Sequence, residues 1–249
     1  MWSFLANSWL ALLLTAAIGY LLGSINWAII ITKLFSKRDI RTVGSGNAGA
    51  TNVLRSQGIL PAVLTSLGDV GKGVASVMIG AWLLTNLNLS GGTPPELRTF
   101  SPDAANLIGG YLGGLFCVMG HVFPVFYGFR GGKGVLATLG MFFVIDWRVA
   151  VMGLGLFLVT VAISRMVSLG SVLAASYVPV LTLVFRLWVD QMSANAVIFC
   201  TVLSSLLAAI VIWKHGSNVR RIAAGTERRI GEDRVDAAPA RDEDKTEEN

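Results

Sequence analysis

The sequence predicts an all-α protein, a polytopic helix bundle in a membrane with about seven transmembrane helices, an outside N-terminus and a cytoplasmic C-terminus. Three observations lead to this fold class. Of the 249 residues, 53% are hydrophobic and only 14% are charged, and the mean hydropathy is +0.64; a soluble core cannot hide that much apolar surface. Apolar runs of transmembrane length recur along the chain. Lys and Arg concentrate in alternate connections between these runs.

The first three predicted helices cover residues 4–31, 59–87 and 104–126, each long enough to cross a bilayer. No Lys or Arg precedes Lys33, so the first run is expected to stay as a helix and not to be cleaved as a signal peptide. Residues 86–103, which contain Gly-Gly and Pro-Pro pairs, are predicted to form an outer loop.

The fourth apolar run is short, because only residues 135–145 are cleanly apolar. It is either a half-length helix or a place where the bilayer thins. Residues 149–163, 167–187 and 194–213 complete the seven crossings. We expect residues 1–231 to form a single transmembrane domain and residues 232–249 to form an acidic disordered tail.

The charge distribution is independent support for this topology. Up to residue 231 the chain has 17 Lys or Arg against seven Asp or Glu, whereas the tail has three against eight. The prediction leaves three arginines outside (Arg98, Arg148 and Arg186) and places the other basic residues on the cytoplasmic side (Lys33, Lys37, Arg38, Arg41, Arg55, Arg130, Lys133, Arg165, Lys214, Arg220, Arg221, Arg228 and Arg229). The basic balance therefore reflects membrane orientation and anion binding, and we expect no nucleic-acid partner.

Residues 44–55, GSGNAGATNVLR, are polar and Gly-rich between two apolar runs. Such a loop can curl its backbone N–H groups around an anion, although many Gly-rich loops only turn the chain. The spacing also matches G-x-G-x-x-G, but a dinucleotide site needs a buried strand before it, and here an apolar helix precedes it. No Lys-Ser or Lys-Thr pair follows, so it is not a Walker loop.

Three more polar clusters fall on the same predicted face: residues 128–134 (GFRGGKG), 164–171 (SRMVSLGS) and 214–221 (KHGSNVRR). Four clusters on one face favour a site for phosphate over four unrelated turns. Metal catalysis is not supported, because the acidic residues of this face are dispersed in sequence. Cys117 and Cys200 lie in apolar runs and are expected to be free thiols.

Asp69 and Lys72 are three residues apart in the second predicted helix, so they share one helical face and are expected to form an ion pair. Structural pairing is favoured over contact with a substrate, since a charge inside the membrane needs a partner. His121 leaves the same alternatives open: it either packs at a helix end or touches a substrate.

Four motifs of this chain resemble those of the bacterial membrane acyl-phosphate:glycerol-3-phosphate acyltransferase family. They are GSGNAGATNVLR at 44–55, D-x-x-K-G at 69–73, GHVFPVFYGFRGGKGVLAT at 120–138, and the segment from His215 to Glu227. The resemblance implies transfer of a fatty acyl group from acyl phosphate to the sn-1 hydroxyl of glycerol 3-phosphate, giving lysophosphatidate and phosphate in the first acylation of phospholipid synthesis. It implies no cofactor.

The resemblance also implies roles for residues of this chain. The acyl phosphate would be bound by Gly44, Ser45, Gly46, Asn47, Gly49, Thr51 and Asn52. Glycerol 3-phosphate would be bound by Arg55, Gly131, Gly132, Lys133, Gly134 and Asn218. The catalytic residues would be Ser45, His215 and Asn218, and further candidates for substrate contact are His121, Asp69, Lys72, Ser168, Arg221 and Glu227.

The expected partners are the two substrates and membrane lipid, in a bacterial inner membrane with the site on the cytoplasmic face; a monomer is plausible. Either His215 or the departing phosphate takes the proton of the attacking hydroxyl. A transporter or flippase for a phosphorylated small molecule is the alternative function. It accounts for cationic loops, but transporters commonly have internal repeats and polar sites near the midplane, and neither is evident in this sequence.

Overall fold

The computed structural model describes residues 2–87 and 104–232, and this part of the chain is helical without strands. The predicted outer loop (residues 86–103, with Arg98) lies outside the described residues except for positions 86 and 87. The predicted acidic tail (residues 232–249) lies outside them except for position 232. The helices are α1 (Trp2–Ser24), α2 (Trp27–Ser36), α3 (Ala50–Gln57), α4 (Ile59–Asn86), α5 (Ala104–Val122), α6 (Val135–Ile145), α7 (Trp147–Ser164), α8 (Val167–Val184), α9 (Ala194–Lys214) and α10 (Gly216–Ala223). Single 3₁₀ turns cover Ile40–Thr42 and Val125–Tyr127, and a π-helical turn, Phe185–Val189, extends α8.

The predicted all-α membrane fold is confirmed. Six helical segments of the described part are long and apolar enough to span a bilayer: Ser8–Ser36, Ile59–Asn86, Ala104–Tyr127, Trp147–Ser164, Val167–Val189 and Ala194–Lys214. Helix α6 has only 11 residues and is about 16 Å long at 1.5 Å per residue, roughly half a bilayer core. The expected count of seven crossings therefore includes one half-length helix.

The prediction of one uninterrupted first helix was wrong, because the chain breaks between α1 and α2. The Asn26 side chain accepts a hydrogen bond from Ile29 N at 3.2 Å and so caps the start of α2. Two carbonyl groups at the break, those of Gly23 and Ile25, accept hydrogen bonds from the Lys72 ammonium of α4. A capping side chain and a buried cation together satisfy the backbone groups that the break leaves open.

Helices α1, α4 and α5 pack with their backbones close together, and glycines permit this approach. A Cβ on Gly80 of α4 would collide with the Gly109 carbonyl oxygen of α5, and a Cβ on Gly109 would collide with the Gly80 carbonyl oxygen. Small residues at helix contacts are the usual means of packing helices in lipid. A larger apolar core, which includes Tyr111, Met141 and Leu207, lies between α5, α6 and α9.

A cluster of four charged residues lies at the far end of α6 from the glycine loops. Arg148 Nη2 is 2.8 Å from both Asp146 Oδ2 and Asp190 Oδ2, and Arg186 Nη1 is 2.9 Å from Asp190 Oδ2. Arg186 also donates to the carbonyl oxygen of Ile145 at 2.9 Å. These contacts tie the α6–α7 turn to the end of α8, and both of these arginines have acidic partners.

Candidate active site

One large cavity, of about 880 Å³, lies at the end of the bundle where the glycine loops are. Eighteen of the twenty residues predicted for the site line it: Gly44, Ser45, Gly46, Asn47, Gly49, Thr51, Asn52, Arg55, Asp69, His121, Gly131, Lys133, Gly134, Ser168, His215, Asn218, Arg221 and Glu227. The other two, Lys72 and Gly132, do not line it and lie against His121, which does. The structure therefore brings the four polar clusters together.

The first glycine loop is folded around the side chain of Asn52, which is only 2% exposed. Its Oδ1 atom accepts a hydrogen bond from Ser45 N at 3.1 Å, and its Nδ2 atom donates to the carbonyl oxygens of Val43 and Asn47 at 2.9 and 3.1 Å. Gly44 has a φ of +61°, and a Cβ there would collide with Asn52 Oδ1. Asn52 uses its amide to shape the loop, so it lies behind the anion site and supports it.

Three helices have an N-cap residue that lines the cavity, and none of the three has a side-chain cap on its first turn. Helix α3 starts after Gly49, α6 after Gly134 and α10 after His215. Uncapped helix N-termini carry partial positive charge and free N–H donors, which makes them suitable binding places for anions such as phosphate.

The second glycine loop supplies the cation Lys133, which donates to Asn218 Oδ1. Burial lowers the pKa of Lys133 to about 8, and the nearby Lys214, Arg55 and Arg221 contribute to this lowering. Cations crowded into one cavity repel one another, and the negative charge of a phosphate would offset this repulsion.

Glu227 organises the opposite wall of the cavity. Its carboxylate accepts hydrogen bonds from Ser168 Oγ and Asn218 Nδ2 at 2.7 Å and from Arg221 Nε at 2.8 Å. Burial by itself would raise the pKa of Glu227, but these hydrogen bonds outweigh it and the pKa is lowered. Because Asn218 Nδ2 is bound to the carboxylate, its Oδ1 atom is turned towards Lys133.

His215 lies at the start of α10, with Nδ1 at 2.8 Å from the carbonyl oxygen of Val211. Burial and the charge of Lys133 lower the pKa of His215 to about 4, so the ring is neutral at physiological pH. The remaining nitrogen, Nε2, is available as a hydrogen-bond acceptor.

Five polar residues that line this cavity were not among the residues predicted for the site: Ser66, Ser171, Lys214, Ser217 and Arg228. Lys214 lies 5.5 Å from the centroid of the Phe123 ring. Lys214, Ser217 and Arg228 belong to or follow the fourth polar cluster, so their position near His215 in the sequence was the available signal. Arg228 enters the site because the segment after α10 folds back, and its carbonyl oxygen is 3.4 Å from Arg55 Nη2.

An apolar cleft of about 100 Å³ adjoins the cavity. It is lined by residues of α6, α7, α8 and α9, and Val135, Leu136 and Phe157 line both spaces. No metal-ligand cluster of three or more His, Cys, Asp or Glu occurs in the described ranges 2–87 and 104–232. The candidate site thus joins a polar cavity for anions to an apolar cleft.

Comparison with known proteins gives a consistent result. A family model described as glycerol-3-phosphate acyltransferase matches residues 13–225. Two similar curated proteins bear the same name: one from Jannaschia sp. (strain CCS1) is 38% identical over 90% of this chain and 96% of its own, and one from Synechococcus sp. (strain CC9902) is 39% identical over 90% and 97%.

Two solved structures of PlsY, described as an integral membrane glycerol 3-phosphate acyltransferase, are also similar. The glycerol 3-phosphate form has a TM-score of 0.70 and 32% identity, covering 88% of this chain and 96% of that chain. The lysophosphatidic acid form has a TM-score of 0.68 and 31% identity, covering 88% and 95%. The family match, the curated relatives and the shared fold agree, and this chain belongs to the glycerol-3-phosphate acyltransferase family.

Proposed function

We propose that this protein transfers a fatty acyl group from acyl phosphate to the sn-1 hydroxyl of glycerol 3-phosphate, giving lysophosphatidate and phosphate. The observation that carries the proposal is the single cavity at which three uncapped helix N-termini and Lys133 meet beside an apolar cleft. Both proposed substrates carry a phosphate and one carries an acyl chain, so the cavity and the cleft fit their combined chemistry.

In this proposal the acyl phosphate lies at the start of α3, with Ser45, Asn47 and Thr51 beside its phosphate. Its chain enters the apolar cleft past Leu136 and Phe157, which line both spaces. Glycerol 3-phosphate lies at the second glycine loop, where Lys133 and Arg55 neutralise its charge and Asn218 orients it.

The reaction needs positioning and charge stabilisation, because acyl phosphate is already an activated mixed anhydride. The sn-1 hydroxyl oxygen attacks the carbonyl carbon, the bond from that carbon to the phosphate oxygen breaks, and phosphate departs with the electron pair. A histidine whose pKa is lowered to about 4 is a weak base. We therefore assign the proton to the departing phosphate and give His215 Nε2 the task of accepting a hydrogen bond from the hydroxyl.

The proposal also covers the membrane in which the enzyme lies and the bounds of its acyltransferase domain. We infer that the cavity faces the cytoplasm of a bacterial inner membrane, which is supported by the basic residues around it, and that residues 1–231 form one acyltransferase domain. No cofactor is needed for the proposed chemistry.

A direct assay tests the function. Purified protein in detergent, given palmitoyl phosphate and glycerol 3-phosphate, is expected to release inorganic phosphate and form lysophosphatidate. A parallel reaction with palmitoyl coenzyme A tests the choice of donor. Absence of product from both donors, together with uptake of a phosphate ester into proteoliposomes, would overturn the proposal in favour of transport.

A further inference from the structure

Both histidines of the chain line the cavity, and each has one ring nitrogen fixed by a neighbour. For His215 the neighbour is the carbonyl oxygen of Val211, 2.8 Å from Nδ1. A carbonyl oxygen only accepts hydrogen bonds, so Nδ1 carries the proton and donates it. Nε2 of His215 is left with a lone pair.

His121 has the opposite arrangement, because its neighbour is a donor. Lys72 Nζ lies 2.8 Å from His121 Nδ1, 3.0 Å from the Gly23 carbonyl oxygen and 2.8 Å from the Ile25 carbonyl oxygen. An ammonium group has three N–H donors and no lone pair. Because the ammonium group can only donate, His121 Nδ1 accepts the hydrogen bond across this distance, and the ring proton is on Nε2.

The Asp69 carboxylate supports this assignment. Its Oδ1 atom is 2.9 Å from Lys72 Nζ and forms an ion pair with the ammonium group. In the alternative tautomer, His121 Nδ1 would donate to Asp69 Oδ1, but that separation is longer, 3.4 Å. Two N–H groups would then face each other across the 2.8 Å between Nδ1 and Nζ. Within the described residues Asp69 Oδ1 accepts no well-aligned hydrogen bond, which agrees with a ring that does not donate to it.

The Nε2 atom of His121 lies where the two glycine loops meet. Gly132 packs directly against it, and a Cβ on Gly132 would collide with Nε2 and lie 2.5 Å from the Ala48 carbonyl oxygen of the first loop. The backbone of His121 also holds the second loop, since Gly132 N donates to the His121 carbonyl oxygen at 3.1 Å. The His121 residue is only 3% exposed, yet it lines the cavity.

We propose that His121 is a catalytic residue which donates a hydrogen bond from Nε2 to an oxygen of the bound acyl phosphate as negative charge develops on it. This rests on the proposed acyl transfer. The oxygen is the carbonyl oxygen or the oxygen that departs with phosphate, and His121 keeps its proton throughout. Lys72 is the positioning residue that fixes the tautomer. A rigid donor already aimed at the reacting atoms stabilises the transition state without reorganisation.

The two histidines then have complementary tasks in one cavity. His121 presents an N–H donor to the acyl phosphate, and His215 presents a lone pair to the hydroxyl of glycerol 3-phosphate. Neither ring needs to change its protonation state, which suits a site already crowded with cations. This assignment leaves the order of bond formation and cleavage unchanged. It adds only the residue that donates the stabilising hydrogen bond.

The tautomers are tested directly by nuclear magnetic resonance of protein labelled with ¹⁵N-histidine in detergent. The two rings are separated by comparing the wild type with His215→Gln. We expect an N–H signal at Nε2 and a lone-pair signal at Nδ1 for His121, and the reverse for His215. Protonated Nδ1 on His121 would overturn the proposal, whatever the activity. Lys72→Met should convert the His121 signals to a mixture of tautomers.

Kinetics test the catalytic task. His121→Phe keeps a ring for packing and removes the donor, and we expect kcat to fall about 10²-fold or more with KM for glycerol 3-phosphate little changed. His121→Gln offers an acceptor to Lys72 and a donor to the cavity, and it should restore much of this loss. Tyr111→Phe, another change to a buried residue outside the cavity, is the matched control and should keep wild-type kcat.

The outcomes separate this proposal from the proposed function. If the wild type transfers no acyl group while the tautomers are as assigned, the function is wrong and the donor has another substrate. If the wild type is active and His121→Phe, folded as judged by its melting temperature, keeps its kcat, the catalytic role of His121 is wrong. Should His121→Phe not fold, the wild-type spectrum and the His121→Gln kinetics still decide.

Discussion

Lys133 and His215 are held in unusual protonation equilibria by burial in the same cavity. Burial lowers the pKa of Lys133 to about 8 and that of His215 to about 4, and each of these shifts favours the neutral form. For Lys133 the lowered pKa lies only slightly above neutral pH, so the ammonium is still mostly charged there. For His215 it ensures a neutral ring. In the proposed mechanism these two residues therefore set the pH range in which the enzyme works.

The lowered pKa of Lys133 predicts how binding of glycerol 3-phosphate depends on pH. Below pH 8 the ammonium is charged and binds the phosphate, and as pH rises through about 8 it loses its proton. We expect kcat/KM for glycerol 3-phosphate to fall across this range. Lys133→Arg should remove this decline, because a guanidinium stays charged. An unchanged decline in Lys133→Arg would assign it to another group.

His215 predicts the acidic side of the same profile. Since its ring is neutral above about pH 4, His215 should contribute no fall in activity as pH decreases through 6.5, where an ordinary histidine takes up a proton. Any decline there that comes from the substrate phosphate should persist in His215→Ala. His215→Ala should lower kcat by about 10²-fold at neutral pH, because the attacking hydroxyl loses the acceptor that orients it. A decline centred near 6.5 in the wild type that disappears in His215→Ala would contradict the assigned pKa.

Lys133→Met tests the placement of glycerol 3-phosphate. Loss of the ammonium next to Asn218 should raise KM for glycerol 3-phosphate much more than KM for acyl phosphate. The matched control is Lys37→Met at the exposed end of α2, which should change neither constant. Equal increases in both KM values would place Lys133 between the substrates.

At the scale of elements, the site depends on helix starts and on close helix contacts. A Cβ on Gly120 of α5 would collide with the Tyr20 carbonyl oxygen and lie 2.8 Å from Ser24 N, both on α1. Gly120 precedes His121, so this contact also fixes the position of the histidine. Backbone atoms cannot move aside as a flexible side chain can.

Gly120→Ala is therefore expected to destabilise the protein by about 1–3 kcal/mol, the usual cost of overpacking. The control is Gly155→Ala in α7, where a Cβ would have no neighbour within 4 Å; it should be neutral or stabilise by up to about 1 kcal/mol through helix propensity. Melting temperatures in detergent measure both changes. Equal melting temperatures for the two variants would contradict this prediction. They would show that α1 and α5 can move apart at Gly120 at little cost in stability.

The elements also show where sequence reasoning was accurate and where it was not. Residues 135–145 were predicted as a short helix, and α6 has the same bounds, because glycine precedes the run and an aspartate ends it. The break between α1 and α2 was missed. Residues 4–31 are mostly apolar. Asn26 caps α2 through a local hydrogen bond, whereas Lys72 reaches the break only because α4 lies alongside.

At the scale of the whole molecule, the two ends of the bundle differ in charge. The cavity end has many cations and few anions in contact with them, whereas at the other end Arg148 and Arg186 are paired with Asp146 and Asp190. Under the positive-inside rule the cavity end is cytoplasmic. This remains a prediction of orientation.

Single cysteines test the orientation in intact cells. Arg38→Cys at the cavity end should react with a membrane-impermeant thiol reagent only after the cytoplasm is opened, whereas Asn195→Cys at the other end should react from outside. Native Cys117 and Cys200 are buried and should not react, so the unmodified chain is the control. The reverse labelling pattern would place the cavity outside the cytoplasm.

The sequence by itself determined the fold class and the bounds of most helices, and it predicted many of the residues that line the cavity. Hydrophobic runs of this length form helices in lipid, because each backbone polar group then has a hydrogen-bond partner within the run. Glycines, amides and cations clustered between such helices indicate a binding site for anions. Tertiary structure decided the chemistry within that site. The protonation of His121 and His215 depends on Lys72 and Val211, the shape of the first loop on Asn52, and the pKa of Lys133 on burial. Most of these are set by neighbours distant in sequence and by desolvation, which a linear pattern of residues does not contain.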